Sequence, residues 1–373
     1  MITHQIGALV PLTRPGWTEA GQHLLAGLEL GVRDVNDSGG IDGRPLELLV
    51  RDTAADPQRA AAAVDELAGL GVVALAGEYH SVVARAAAVR ADALGLPFLC
   101  SSAVLDALTD QPTDRVARLA PPQSRGWRIY ADFLLGAGHR RIAVAAQPSI
   151  YWASGTRILR DHVTRHGGTV IEIELEAGTP SPTAVTSVTS VTSVCDALAD
   201  SGATALLLLA GHPDPAVPIV RSVRGDRRLG EILIGAPAGQ PEFAEWATSL
   251  GADGAGIPFL RYLPEALSPL GARVEATLRG RLAQAPSFVA FEGYDTALVL
   301  ADALRSGGAD RARTAVSWPG VVVEGTRGKI QFSRTPGIGL WQWDRTPIQV
   351  VDRDPAEPDR FRILHAEEDP GPL

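Results

Sequence analysis

The sequence is poor in the residues that staple or anchor a chain. Its 373 residues hold two cysteines, Cys100 and Cys195, and a single methionine. Two thiols exclude a disulfide framework, and their settings, one ending an apolar strand and one in a helical stretch, argue against a single bridge. No apolar run reaches the ~20 residues that cross a bilayer. Basic residues do not cluster, and 34 of them face 43 acidic ones for a net charge of -9. The basic face of a nucleic-acid binder is therefore missing, and no nucleic-acid partner is expected.

Catalytic signatures are missing too. No glycine-rich dinucleotide loop follows the first strand, and no phosphate-loop lysine motif occurs. Ala153-Ser154-Gly155 lacks the first glycine and the preceding strand of a nucleophile elbow. The eight histidines are scattered, so no zinc spacing arises. The expectation is a protein that is no enzyme and carries no cofactor or metal. The opening Met1-Ile-Thr-His-Gln-Ile-Gly shows neither a basic nor an apolar leader region. As written, the chain is expected in the cytoplasm; a trimmed or mis-assigned start would reopen a secreted location.

What is present is ordinary globular composition, 45 % hydrophobic and 21 % charged, with length for two cores. Apolar strands at 5–9, 46–50, 72–76 and 97–100 alternate with helical periodicity at 21–36, 57–70 and 81–94. On the first helix Leu24, Leu28, Val32 and Val35 share a face, and Ser38-Gly39-Gly40 closes it. The rhythm restarts with helices at 123–137 and 154–166, a helix at 182–200, and strands at 141–145, 170–175, 205–209 and 232–234. Such alternation predicts parallel sheets covered on both faces, an α/β fold of two doubly wound lobes joined by three crossovers. The expected division is 1–121 with 257–328 for the first lobe and 122–256 with 329–353 for the second, followed by a loose tail at 354–373.

Three blocks carry a resemblance: Ile6-Gly7-Ala8-Leu9-Val10-Pro11-Leu12-Thr13, then Val35-Asn36-Asp37-Ser38-Gly39-Gly40-Ile41-Asp42-Gly43, then Arg51-Asp52-Thr53-Ala54-Ala55-Asp56-Pro57. Gly293-Tyr294-Asp295 and Trp341-Gln342-Trp343 add to it. Together they resemble the type I periplasmic binding proteins, in the leucine/isoleucine/valine-binding branch that serves ABC transporters. The resemblance implies a clamshell that closes on one small ligand, read by an ABC permease. The lack of a leader keeps a second expectation open, a cytoplasmic sensor of the same fold acting on a regulatory protein.

The resemblance also places a site. Ser81, opening a helix, stands where the family has a ligand hydroxyl; a plain helix N-cap is the bland alternative. Ser102 lies in the family's carboxylate-gripping loop, but Val104 occupies the position where amino-acid binders carry threonine. Tyr151 and His212 stand at aromatic positions of the second lobe, and Trp17 at one in the first. The loop of Glu78, Tyr79 and His80 sits at a strand end beside them. After the strand at 232–234 the family's ammonium partner should follow, yet Gly235-Ala236-Pro237-Ala238-Gly239 contains no carboxylate before Glu242. Either Asp214 or Glu242 replaces it, or the ligand is a small amide or carboxylate without an ammonium group.

Overall fold

The computed structural model describes residues 3–175 and 188–367. The chain divides into two compact units, Met1–Pro122 with Tyr262–Pro347 and Gln123–Arg261 with Ile348–Leu373, so it passes between them three times.

In chain order the strands of the first unit begin with β1 His4–Val10, β2 Leu46–Asp52, β3 Ala74–Gly77, β4 Phe98–Cys100 and β5 Val116–Arg118. The second unit contributes β6 Arg141–Ala146, β7 Thr169–Glu174, β8 Ala205–Leu209, β9 Leu233–Gly235 and β10 Phe259–Arg261. The first unit resumes with β11 Val322–Gly325, β12 Gly328–Arg334 and β13 Trp341–Trp343, and the second ends with β14 Gln349–Arg353 and β15 Phe361–Ala366.

The first unit is one eight-stranded sheet in the order β11-β12-β13-β5-β4-β3-β1-β2. Its β2-β1-β3-β4-β5 portion is wholly parallel. Strand order reverses at β1, between β2 and β3, and loops at that switch point diverge to leave room for a ligand at the strands' carboxyl ends. Every residue of β3 and β4 is buried, as expected for strands covered on both faces. The helices Thr18–Asp37 and Phe288–Gly307 pack closely against each other. Gly27 permits this contact, since a Cβ there would lie 1.9 Å from the Ala290 carbonyl.

The second unit repeats the plan in smaller form. Its parallel sheet runs β7-β6-β8-β9, with a reversal at β6. A separate antiparallel sheet, β10-β14-β15, completes it. The α/β character of two parallel-sheet units agrees with the alternation read from the sequence.

The boundaries differ from those expected. Residues 329–347 stay in the first unit because β12 pairs with β13 and β13 joins β5 in parallel. Residues 257–261 belong to the second unit because β10 pairs with β14. The first crossover falls after Pro122, one residue beyond the expected break. The tail is not loose over 361–366: β15 pairs antiparallel with β14, and the Phe361 ring meets Phe259 edge-on and lies under the Arg261 and Arg353 guanidinium groups. The helix expected at 182–200 is described as Val188–Ser201. Its residues 182–187, and 368–373 of the tail, lie outside the described residues.

Candidate functional site

In the first unit, four loops follow the carboxyl ends of β1, β2, β3 and β4, and they are tied to one another by side chains. Asp52, ending β2, accepts from Leu12 N at 2.8 Å and Thr13 Oγ1 at 2.5 Å, which fixes the loop after β1. Trp17 ends that loop, and its N–H donates to His80 Nε2 at 3.0 Å. This bond uses the Nε2 lone pair, so the neutral imidazole carries its proton on Nδ1. Burial agrees, pushing the His80 pKa down to about 4. The Tyr79 ring meets His80 edge-on at 5.1 Å.

Beneath them lies Glu78, 0 % exposed. One of its oxygens accepts from Tyr79 N and His80 N at 2.9 Å each, and the other from Thr53 Oγ1 at 2.7 Å. Burial raises its pKa to about 7 in spite of these three donors. The chain can turn into this loop because Gly77, at φ +117°, lies so close to β1 that a Cβ would sit 2.1 Å from the Leu9 carbonyl oxygen.

Ser81 is the first residue of the helix Ser81–Ala93, not its cap. His80 holds the cap position and makes no side-chain capping bond, so the first-turn N–H groups keep their capacity to donate. The Ser81 hydroxyl oxygen instead accepts from Val104 N at 3.2 Å and Leu105 N at 3.3 Å, binding the loop after β4 to the helix start. That loop carries Ser102, which is 4 % exposed and whose hydroxyl has no hydrogen-bond partner. A buried hydroxyl without a partner is costly in a finished fold. Val104 is buried as well. The first unit thus brings together Trp17, Tyr79, His80, Ser81, Ser102 and Val104. The sequence reading missed Thr53 and Asp52 as loop supports, and also Arg118. An arginine inside the apolar run Val116-Ala117-Arg118-Leu119-Ala120 was the available signal.

Tyr151 and His212 belong to the second unit, Tyr151 in the first turn of the helix that follows β6 and His212 on the loop after β8, beside the unit's own switch point. The Gly211 N–H donates to Gln147 Oε1 at 2.7 Å, joining the loops after β6 and β8. Tyr151 lies on the helix Ile150–Arg165 capped by Ser149. Its ring meets Trp127 edge-on at 6.2 Å, and burial raises its pKa. The His212 ring lies 5.6 Å from Trp246. Glu242, one of the two acids expected to replace the missing ammonium partner, is committed to Arg261 at 2.9 Å. A cavity of about 790 Å³ opens between the helix Ile150–Arg165 and β7, bordered by Ser149, Thr156, Arg157 and Glu174. Among the described residues no three His, Cys, Asp or Glu side chains gather as a metal site.

Glu78 makes a prediction about pH. Its folded pKa, about 7, lies above its unfolded value near 4.5, so the folded state retains the proton longer. Its contribution is complete below pH 4.5 and is lost as pH rises toward 7. His23 and His80, each lowered by burial to about 4, act in the opposite sense. They contribute above pH 6.5 and lose that contribution as pH falls toward 4, which flattens the parent profile. The stability of the parent relative to Glu78→Gln should fall by about 2 kcal/mol between pH 5 and 7.5, read by urea titration. Parallel profiles would contradict a raised carboxyl.

A model of the family described as periplasmic binding protein matches residues 3–340. Among curated proteins, the Leu/Ile/Val-binding protein homolog 8 of Brucella abortus (strain 2308) is 29 % identical over 189 residues, which is 48 % of this chain and 46 % of that protein. The chain spans about half the length of the curated relatives it matches. Among solved structures, a leucine-binding protein from Thermotoga maritima superposes with TM-score 0.81 at 19 % identity, covering 98 % of each chain. The branched-chain amino acid transporter substrate binding protein of Streptococcus pneumoniae, in complex with isoleucine, gives 0.80 at 18 % identity, covering 98 % of this chain and 100 % of that one. A solute binding protein of an ABC transporter from R. palustris, in complex with benzoate, gives 0.78 at 17 % identity, covering 98 % and 96 %. At such identities these likenesses speak for the fold.

Proposed function

The chain belongs to the periplasmic binding protein family, and from this premise we propose that it binds a small solute bearing a carboxylate, as the substrate-binding component of an ABC uptake system. The observation that carries this reading is the Ser102 hydroxyl, buried and without a partner, in a loop tied by Ser81 to an uncapped helix start. Hydroxyls and first-turn N–H groups are the donors that replace water around a carboxylate.

The ligand we favour lacks an ammonium group. No carboxylate occupies the stretch after β9 before Glu242, Glu242 is held by Arg261, and Asp214, the other acid expected there, is exposed on the loop after β8. On the first unit Glu78 is 0 % exposed and already accepts three hydrogen bonds. A buried ammonium without an anion would not recover its desolvation cost. Among relatives of this fold, one was solved with isoleucine and another with benzoate, so the scaffold accommodates head groups of both kinds. Within the first unit Trp17 and Tyr79 supply aromatic surfaces that would cover the rest of the solute. An ABC permease is the proposed partner, and the outer side of the cytoplasmic membrane the proposed place of action. No described helix is long and apolar enough to cross a membrane.

The test is thermal. Protein unfolded and refolded to release carried solute is melted with leucine, 4-methylpentanoate, benzoate and their amides. A ligand at a hundred times its Kd adds about 2.7 kcal/mol. Shifts with the acids and not with leucine are expected. A shift with leucine alone would overturn the ammonium-free reading, and no shift with any acid would overturn the carboxylate.

A further inference from the structure

We propose that Arg118 positions the ligand loop after β4 and biases the first unit toward an anionic head group over its neutral amide. The inference rests on the carboxylate reading above and adds a residue and a selectivity to it.

Arg118 ends β5, opposite Cys100 at the end of β4. It is 0 % exposed. Its Nη1 donates to the carbonyls of Leu105 at 2.7 Å and Val104 at 3.1 Å. The N–H groups of the same two residues are held by Ser81. The loop is therefore gripped on both polar sides of its backbone, by a serine through its donors and by an arginine through its acceptors. Ser102 lies two residues before this doubly held pair. Fixing Val104 and Leu105 restricts where the Ser102 hydroxyl can point.

The guanidinium is itself held by Gln342 of β13, whose Oε1 accepts from Nε at 2.7 Å. The Gln342 amide in turn donates to Ala120 O at 2.8 Å and Trp343 O at 3.2 Å. Every partner is neutral. Among the described residues no carboxylate forms an ion pair with Arg118, and Nη2 has no hydrogen-bond partner. The other fully buried arginine of this unit, Arg327, faces two carboxylates. Burying a cation without a carboxylate in contact is expensive, and burial lowers the Arg118 pKa, with the more distant Asp106 carboxylate acting against it. A structural peg could use a neutral donor. A retained cation with no carboxylate in contact, offset only at longer range by Asp106, beneath a loop with a partnerless hydroxyl places positive potential where an anion would bind.

Two acid/amide pairs read this directly: benzoate with benzamide, and 4-methylpentanoate with 4-methylpentanamide, titrated by calorimetry. The parent should bind each acid more tightly than its amide. Gln342→Glu sets a carboxylate against Nε while keeping the carbonyl contacts of Arg118. It should reduce the acid-over-amide ratio about tenfold, the size of effect a nearby charge exerts in a partly screened interior. Arg118→Lys keeps the charge and loses the fork, so acid and amide should weaken together with their ratio kept. Should Gln342→Glu fail to fold, Arg118→Met reads the same ratio. An unchanged ratio in a folded, charge-neutralised variant overturns the role of Arg118 and leaves the carboxylate reading standing. A parent that binds neither acid overturns that reading, and this inference with it.

Discussion

Replacing Arg327 with methionine is expected to destabilise the first unit by about 3–5 kcal/mol, the cost of stranding buried carboxylates. Its side chain is fully buried and donates from Nε to Asp295 Oδ2 at 2.9 Å and from Nη1 to Glu292 Oε1 at 3.3 Å. The guanidinium also lies 4.9 Å over the Trp343 ring. Asp295 accepts in addition from Thr326 N at 2.7 Å and Thr326 Oγ1 at 2.8 Å, so it joins the turn between β11 and β12 to the helix Phe288–Gly307. Burial pushes the Asp295 pKa up and Arg327 pulls it back. Without the arginine, Asp295 would hold its proton to higher pH. The deficit of the variant should therefore grow as pH rises above the ordinary aspartate range. Adding Asp295→Asn to Arg327→Met should recover part of the loss, because the two residues act as one unit. Urea titrations of parent, single and double variants test this. A loss under 1 kcal/mol for Arg327→Met would refute the network.

Ser81→Ala should weaken binding of the acid ligand by about a hundredfold, more than Ser102→Ala, for which about tenfold is expected. The difference follows from what each hydroxyl does. Ser102 has one unused hydroxyl to offer. Ser81 can donate its proton while its oxygen holds Val104 N and Leu105 N. Alanine at 81 removes the donor and also frees two backbone N–H groups, so the loop that presents Ser102 loses one of its two restraints. The same change should cost about 1–3 kcal/mol of stability, the penalty for unsatisfied buried donors. Isothermal titration with benzoate or 4-methylpentanoate, beside melting curves, separates the two effects. Equal losses for both variants would mean that Ser81 does not organise the loop.

Much of the candidate site is legible in the sequence because its residues sit at places that local sequence marks. Ser81 and Ser102 each follow an apolar strand, and a residue just past a parallel strand stands at the carboxyl edge of the sheet. Trp17, Tyr79 and His80 follow strands in the same way. Glu78 drew notice in its loop, but its full burial and its Thr53 partner, 25 positions away, have no periodic trace. The loose tail was misread for a related reason. The run around 354–360 is rich in Pro, Asp and Glu, a composition that reads as disorder, while the pairing of β15 with β14 depends on an edge that only the folded second unit offers.

By itself the sequence determined the alternation of strands and helices, and hence two α/β units with loops gathered at strand ends. Apolar spacing and glycine stops are local properties, legible over ten to twenty residues. Which strand lies beside which was decided only in three dimensions. The place of β13 beside β5 pairs Gln342 with Arg118 across 224 positions. That pairing kept residues 329–347 in the first unit and set a buried cation under the loop after β4. The energy of such a contact comes from burial and hydrogen bonds between distant segments, and no local pattern encodes those until the sheet has closed around them.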